Sequence, residues 1–324
     1  MNLACQVAGF VVSSGAAMEN ILIIKHGALG DVVIELGTMQ ALRREFPDAR
    51  FTLLTMKPFV AIAEQAGVFD DFIVDNRRPL FNVKETSRVL SAMVAGKFSR
   101  IYNLQCSQRT RIYRRMYRLL APKGEYRWFE SATGLCHSVA KSCRLGIGRQ
   151  QLSEMQLPRA TTDLRFLHGE GAHFDKLPER YVLLIPGCSP KHPYKRWPVE
   201  NYRELVRRLA EQGVQAVVLG TQAEASEAAE ICRDNPSVVN MVGLTSLLDV
   251  PQVALRALAV VGNDTGPSHM AAFTGVYTLA IFDHRNARSV LRGQNCTSLV
   301  SDAGVELITP DEVWQHVAPR LNLG

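Results

Sequence analysis

Short, largely apolar runs alternate with helical stretches along most of the chain, and the alternation is run through twice. In the first half the runs are ILIIK (21–25), RFTLLTM (50–56), DFIVD (71–75) and RIYNLQ (100–105), with helical patterns over 31–46, 59–66 and 83–95. Strands separated by helices pair in parallel, because each connection has to cross over the sheet, and the helices then cover its faces. The pattern lapses between Glu170 and Arg180. It resumes with YVLLIPG (181–187), VQAVVLG (214–220), a short strand near 238–241, LAVVGND (258–264) and VYTLAIF (276–282). Helices are expected over 199–212, 223–233 and 268–274, and a last one starts at Pro310, where Asp311 and Glu312 suit a first turn.

The fold class is therefore α/β, with two Rossmann-like, doubly wound domains facing a central cleft. A length of 324 residues with 47% hydrophobic and 21% charged content is enough for two cores. The junction falls in the lapse, giving an N-terminal domain over 18–174 and a C-terminal domain over 175–324, with the last helix able to pack back on the N-terminal domain. Residues 1–17 are expected to be a disordered or upstream extension. Their apolar stretch from Val7 to Val12 lacks the preceding basic residue of a signal peptide, and no stretch reaches the roughly 20 apolar residues of a membrane helix. Seven scattered cysteines without a CxxC pair point to a reduced, cytosolic chain with no cysteine-built metal site. The net charge of +6 favours an anionic partner without choosing one.

Two glycine-containing turns carry the chemistry. KHGALGD (25–31) and GNDTGPSH (262–269) each follow an apolar run and open a helix. In an α/β sheet such strand-to-helix turns are where ligands sit, and glycines there let backbone amides approach a phosphate.

With four landmarks in order, KHGALGDVV (25–33), PGCSPKHPYKRWP (186–198), VVLGTQAE (217–224) and GNDTGPSHMAA (262–272), the chain from about Glu19 onward resembles glycosyltransferase family 9, the ADP-heptose:lipopolysaccharide heptosyltransferases. The resemblance implies a GT-B fold. It also implies inverting, metal-independent transfer of a heptose or related sugar from an ADP-sugar to a lipopolysaccharide inner-core or other cell-envelope glycan. Asp31 matches the family's general base, which takes the proton of an acceptor hydroxyl as it attacks the anomeric carbon. By position alone Asp31 equally suits a cap for a helix starting at Val32.

Lys195, just before the W-P pair, matches the lysine that offsets charge on the departing nucleoside diphosphate. The resemblance further assigns Gly30, Cys188, Ser189, Gln222, Glu224, Asp264, Thr265, Gly266 and His269 to the donor. Asp264 would meet sugar hydroxyls and face away from the diphosphate, Thr265 and Gly266 would present amides, and His269 would support the loop or the phosphates. Gln222 or Glu224 would meet the ribose. Relatives often carry two threonines where Cys188 and Ser189 stand, and KHPY lengthens that loop. Plainer readings stay open: Thr265 as an N-cap, Glu224 as a helix-start acid, and Lys191, Lys195 and Arg196 as a solvated basic loop.

The densest charge lies between Gln108 and Arg127, where Arg109, Arg111, Arg114, Arg115, Arg118, Lys123 and Arg127 interleave with three tyrosines. On a helix, 111, 114, 115 and 118 share a face. The resemblance makes Arg109, Arg111, Arg114, Arg115 and Arg118 the binding residues for an anionic glycolipid acceptor, at the inner face of an inner membrane. A solvated face remains an alternative, and nucleic acid lacks any supporting signature. GIGRQQ (146–151) is not a full GxGxxG, there is no GxxxxGK[ST] and no DxD, and His168 and His173 are five apart. No metal and no cofactor are expected, the nucleotide sugar being a substrate. Two other functions stay open: transfer from a UDP- or GDP-sugar, and nucleotide-sugar binding with little turnover.

Overall fold

The computed structural model describes residues 18–121, 126–130, 162–169, 174–233 and 235–321. The 1–17 segment, Lys123, the GIGRQQ stretch and His173 lie outside them. Two parallel sheets result. The first joins β1 (Asn20–Ile24), β2 (Arg50–Thr55), β3 (Asp71–Val74), β4 (Arg100–Asn103) and β5 (Arg127–Phe129) in the order β3-β2-β1-β4-β5. The second joins β6 (Tyr181–Ile185), β7 (Gln215–Val218), β8 (Val238–Asn240), β9 (Ala259–Asn263), β10 (Thr278–Asp283) and β11 (Cys296–Ser301) in the order β11-β10-β9-β6-β7-β8. Strand order reverses between β1 and β4 and again between β6 and β9. Those two reversals open crevices at the carboxyl ends of the strands.

Helices α1 (Leu29–Glu45), α2 (Val60–Gln65), α3 (Val83–Ala95) and α4 (Gln108–Leu120) accompany the first sheet. The second carries α5 (Val199–Glu211), α6 (Ala225–Cys232), α7 (Val250–Leu255), α8 (Gly266–Ala272) and α9 (Pro310–Val317). Period-two alternation splits β1 between two cores. Ile21 and Ile23 join one with Val33, Leu36 and Met39 of α1 and Met270 and Ala271 of α8, whereas Leu22 and Ile24 join another with Val89, Met93 and Tyr113. The first of these cores runs through both sheets, so α1 is buried over most of its length, as an element packed between layers must be. Thr162 fastens it further, donating to the Val33 or Ile34 carbonyl (2.9 and 3.1 Å) and accepting from Gly37 N (3.0 Å).

Several elements depart from the sequence reading. The first helix begins at Leu29, with Ala28 as N-cap, so Asp31 lies inside the first turn and does not cap a helix at Val32. Strands β5 and β11 and helix α7 are additional elements. β5 and α7 are short, and β11 (CTSLVS), although six residues long, is a half-polar edge strand without a strong apolar pattern. Among the described residues, the last helix packs on the C-terminal domain. Val313 and Val317 enter the core of the second sheet beside Tyr202, Leu205 and Leu209 of α5, the apolar face they meet first.

Candidate functional site

The loop after β1 and the loops after β6 and β9 lie at the two reversal points, and the helices they open meet there. A Cβ on Gly266 would stand 2.6 Å from Leu29 Cδ2, and one on Gly30 would stand 3.1 Å from His269 Cδ2. A side chain at Gly266 would force Leu29 to shift, and one at Gly30 would press on the His269 ring. The two turns, more than 230 positions apart in sequence, thus form one place, with Asp31 directly after Gly30 and Asp264 two residues before Gly266.

On the C-terminal side, Asn263 organises the floor. Its side-chain amide donates to the Pro186 carbonyl (2.5 Å), while its oxygen accepts from Trp197 N and the Tyr202 hydroxyl, both at 3.1 Å. One buried side chain therefore pins the start and end of the PGCSPKHPYKRWP loop to the end of β9. The KHPY portion of the loop makes ring contacts: Arg285 sits 3.7 Å over Tyr194, itself edge-on to His192, and the turn Pro193–Lys195 contains Tyr194.

That turn delivers Lys195 Nζ to 2.7 Å from Asp264 Oδ2. The two charges form a largely buried ion pair. His269 Nε2 lies 3.6 Å from the other carboxylate oxygen, and its Nδ1 is buried without a hydrogen-bond partner among the described residues. Burial alone would raise the Asp264 carboxyl, but His269 and Lys195 outweigh it and hold the group below the ordinary carboxylate range.

The remaining expected donor residues divide. Ser189 is exposed on the loop, and Thr265 is the α8 N-cap by position but makes no side-chain cap hydrogen bond. Cys188 is turned inward: it is buried, with its sulfur 3.4 Å from both the His192 carbonyl and Arg196 Nε. Arg196 is not a solvated cation either, since it also pairs with Glu227. Glu224 closes a capping box, Oε2 accepting from Thr221 N (2.8 Å) and Oγ1 (2.6 Å), while the same side chain packs against Gly187. Gln222, by contrast, is exposed beside Gly243.

On the N-terminal side, the structure brings together a cluster that the sequence reading missed. His26, 1% exposed, bonds through Nε2 to Asp75 Oδ2 at 2.8 Å, and Asp75 also accepts from the Tyr113 hydroxyl (2.8 Å) and Arg77 N (2.7 Å). Gln105 Oε1 accepts from His26 N (3.0 Å) and Gly27 N (3.3 Å). Loops after β1, β3 and β4 are thereby tied around the turn that carries Asp31. The available signal was a histidine inside the glycine turn and an aspartate at the end of the DFIVD run. Arg109 belongs to this cluster. It approaches Asp75 at 3.4 Å and bonds the Tyr113 hydroxyl (2.6 Å), so it does not share the exposed face. Arg111, Arg115 and Arg118 are exposed on α4 as expected, and Arg114, also exposed, pairs with Glu130. Among the described residues no group of three or more His, Cys, Asp or Glu side chains could hold a metal ion.

Residues 131–292, half of the chain, match the sequence profile of glycosyltransferase family 9 (heptosyltransferase). The chain belongs to glycosyltransferase family 9. Among curated proteins, lipooligosaccharide heptosyltransferase 2 of Haemophilus influenzae is 30% identical over 112 residues, 33% of this chain and 32% of that protein. The family 9 chain thus spans about a third of that relative in the match. The solved E. coli ADP-heptose lipopolysaccharide heptosyltransferase II superposes with a TM-score of 0.70 at 16% identity, covering 93% of this chain and 98% of the other. An E. coli heptosyltransferase solved with ADP gives 0.69 at 17% identity, covering 93% and 99%. At such identity these likenesses speak for the GT-B fold of the family 9 chain.

Proposed function

We propose that this family 9 chain is an inverting, metal-independent glycosyltransferase that moves a heptose or related sugar from an ADP-sugar to an anionic lipopolysaccharide-core or similar cell-envelope glycan. The observation that carries this reading is the meeting of the Asp31 turn with the Lys195–Asp264–His269 group across the contact of Leu29 and Gly30 with Gly266 and His269. A donor diphosphate placed at Lys195 would set its sugar toward the α1 turn. There the Asp31 carboxylate accepts the acceptor hydroxyl's proton as the new C–O bond forms and the bond to the diphosphate breaks. A positioned base of this kind contributes roughly 10² to 10⁴ in rate.

Lys195 takes up the charge that develops on the leaving group, and Asp264 balances the ammonium before donor arrives and meets sugar hydroxyls afterwards. Ser189, the amides at Thr265 and Gly266, and His269 Nδ1, which has no partner among the described residues, complete the donor side, with Gln222 at the ribose. The exposed arginines of α4 receive the acceptor's anionic groups, for which guanidinium forks are suited. No helix among the described residues is long and apolar enough to cross a membrane, and we place the enzyme at the cytoplasmic face of an inner membrane.

Calorimetric titration of ADP-heptose against UDP- and GDP-sugars without added metal tests the reading. Metal-independent binding of ADP-heptose alone is the expected result. Binding only of another nucleotide sugar would remove the heptosyl assignment and leave a GT-B transferase with a different donor.

A further inference from the structure

The edge of the first sheet that carries Asp31 has a composition suited to more than a soluble ligand. The segments following β1 to β4 at that edge (25–31, 56–59, 75–84 and 104–111) contain only Asp31 and Asp75 as acids, and Asp75 is fully buried. Against them stand Lys57, Arg77, Arg78, Lys84 and Arg111, all exposed. Between these cations, at the start of α3, Phe81 is 85% exposed and Val83 75% exposed.

A large apolar residue just before a helix N-cap normally staples to the fourth helical residue. The N-cap here is Asn82, whose side chain accepts from Glu85 N at 3.1 Å. The fourth helical position is Thr86, and its hydroxyl is turned to the Leu80 carbonyl (3.0 Å). Phe81 therefore has no staple partner, and the hydrophobic role it would have in the helix start is unfilled. The loop that presents it is nevertheless held firmly: Asp75 anchors one end to His26, Arg109 bonds the Arg78 carbonyl, and Arg88 bonds the Val74 carbonyl.

We propose that the loop from Arg77 to Lys84 is a membrane-contact element, with Phe81 and Val83 entering the headgroup–acyl boundary of a bilayer while Arg77, Arg78, Lys57 and Lys84 engage anionic phospholipid headgroups. Charge complementarity selects a bilayer as occupant: cations ringing two apolar residues, without an exposed carboxylate among them, match an anionic lipid surface. Through the Asp75–His26 bond the same loop is fixed to the turn bearing Asp31, so docking would turn that sheet edge toward a lipid-anchored acceptor. This deepens the transferase reading by naming the surface that supplies its acceptor, yet lipid binding needs neither donor nor turnover and is measured separately.

The test is cosedimentation of the full chain with phosphatidylcholine vesicles containing or lacking phosphatidylglycerol. Binding is expected only with the anionic lipid and should weaken with added salt, because headgroup attraction is screened beyond about 8 Å at physiological ionic strength. A Phe81→Ser/Val83→Ser variant should partition on the order of tenfold more weakly, with unchanged thermal midpoint and unchanged calorimetric donor binding. An Arg77→Ala/Arg78→Ala variant should bind less and lose part of the salt dependence. Equal sedimentation with neutral and anionic vesicles, or full binding by the serine variant, overturns the proposal. Self-association of the wild-type chain that the serine variant abolishes, without lipid binding, would also overturn it and make the patch a protein interface.

Discussion

Lys195 Nζ lies 2.7 Å from Asp264 Oδ2, so the cation we propose for an incoming diphosphate already faces a carboxylate from the opposite side of the second sheet's crevice. Two substitutions should have opposite effects on binding. Lys195→Met should lower kcat by about 10² to 10³, the usual cost of removing one preorganised charge-stabilising group, and weaken ADP binding. Asp264→Asn should lower turnover while tightening ADP several-fold, because a negative charge beside the phosphates is gone. Calorimetry with ADP alongside steady-state rates reads both; equal weakening of ADP in the two variants would show that Asp264 does not oppose the diphosphate.

Asp31→Asn keeps the shape of the first turn of α1 and removes the proposed base. Transfer should fall by about 10² to 10⁴, while donor affinity stays within twofold and the thermal midpoint changes little. If transfer persists at the wild-type rate, Asp31 is only a first-turn acid of α1.

Gly266 faces Leu29 across the junction of the two halves, and a methyl group there would press on the Leu29 side chain. Gly266→Ala should destabilise the protein by about 1 to 3 kcal/mol, as overpacking does. Leu29→Ala in the same chain should restore part of that loss, and denaturant unfolding of the single and double variants measures the coupling. Additive losses would mean that the two residues do not press on one another.

The His26–Asp75 pair sets an acid limit. Burial would raise Asp75, but hydrogen bonds from His26 and Tyr113 overcome it and hold the carboxyl at about 2, and burial keeps the His26 imidazole below its ordinary value despite Asp75. Both groups thus bind protons more readily unfolded than folded. Stability should be full above the unfolded histidine value of about 6.5 and fall below it, with a second loss as pH drops from about 4 toward the folded Asp75 value. Thermal midpoints across this range check the sign. His26→Gln, which keeps a donor toward Asp75, should flatten the upper segment, and an unchanged slope would assign it to other groups.

Much of this architecture is legible in the order of residues. The runs beginning at Ile21, Phe51 and Tyr181 specify buried parallel strands because apolar content this continuous can be covered only by helices on both faces. The glycine turns at Gly30 and Gly266 mark strand-to-helix corners for the same local reason. Less was legible where a segment lacked a period of its own: β11 is half polar, and α7 is a short helix entered through Val250 and Pro251. Arg109 shows the limit for side chains. Its sequence neighbours read as one basic stripe, yet it folds inward because Asp75, 34 positions earlier, is a buried carboxylate that a nearby cation and a tyrosine stabilise.

By itself, then, the sequence determined the strand and helix alternation, the two doubly wound halves and the glycine turns at the strand ends, since each follows from local periodicity and backbone freedom. Only the tertiary structure decided that Lys195 meets Asp264, that His26 meets Asp75, and that Cys188 and Glu224 serve the loops that hold them. Those outcomes depend on which strand ends become neighbours when each sheet reverses its order, and the packing of α1 against α8 then fixes how closely the two crevices approach.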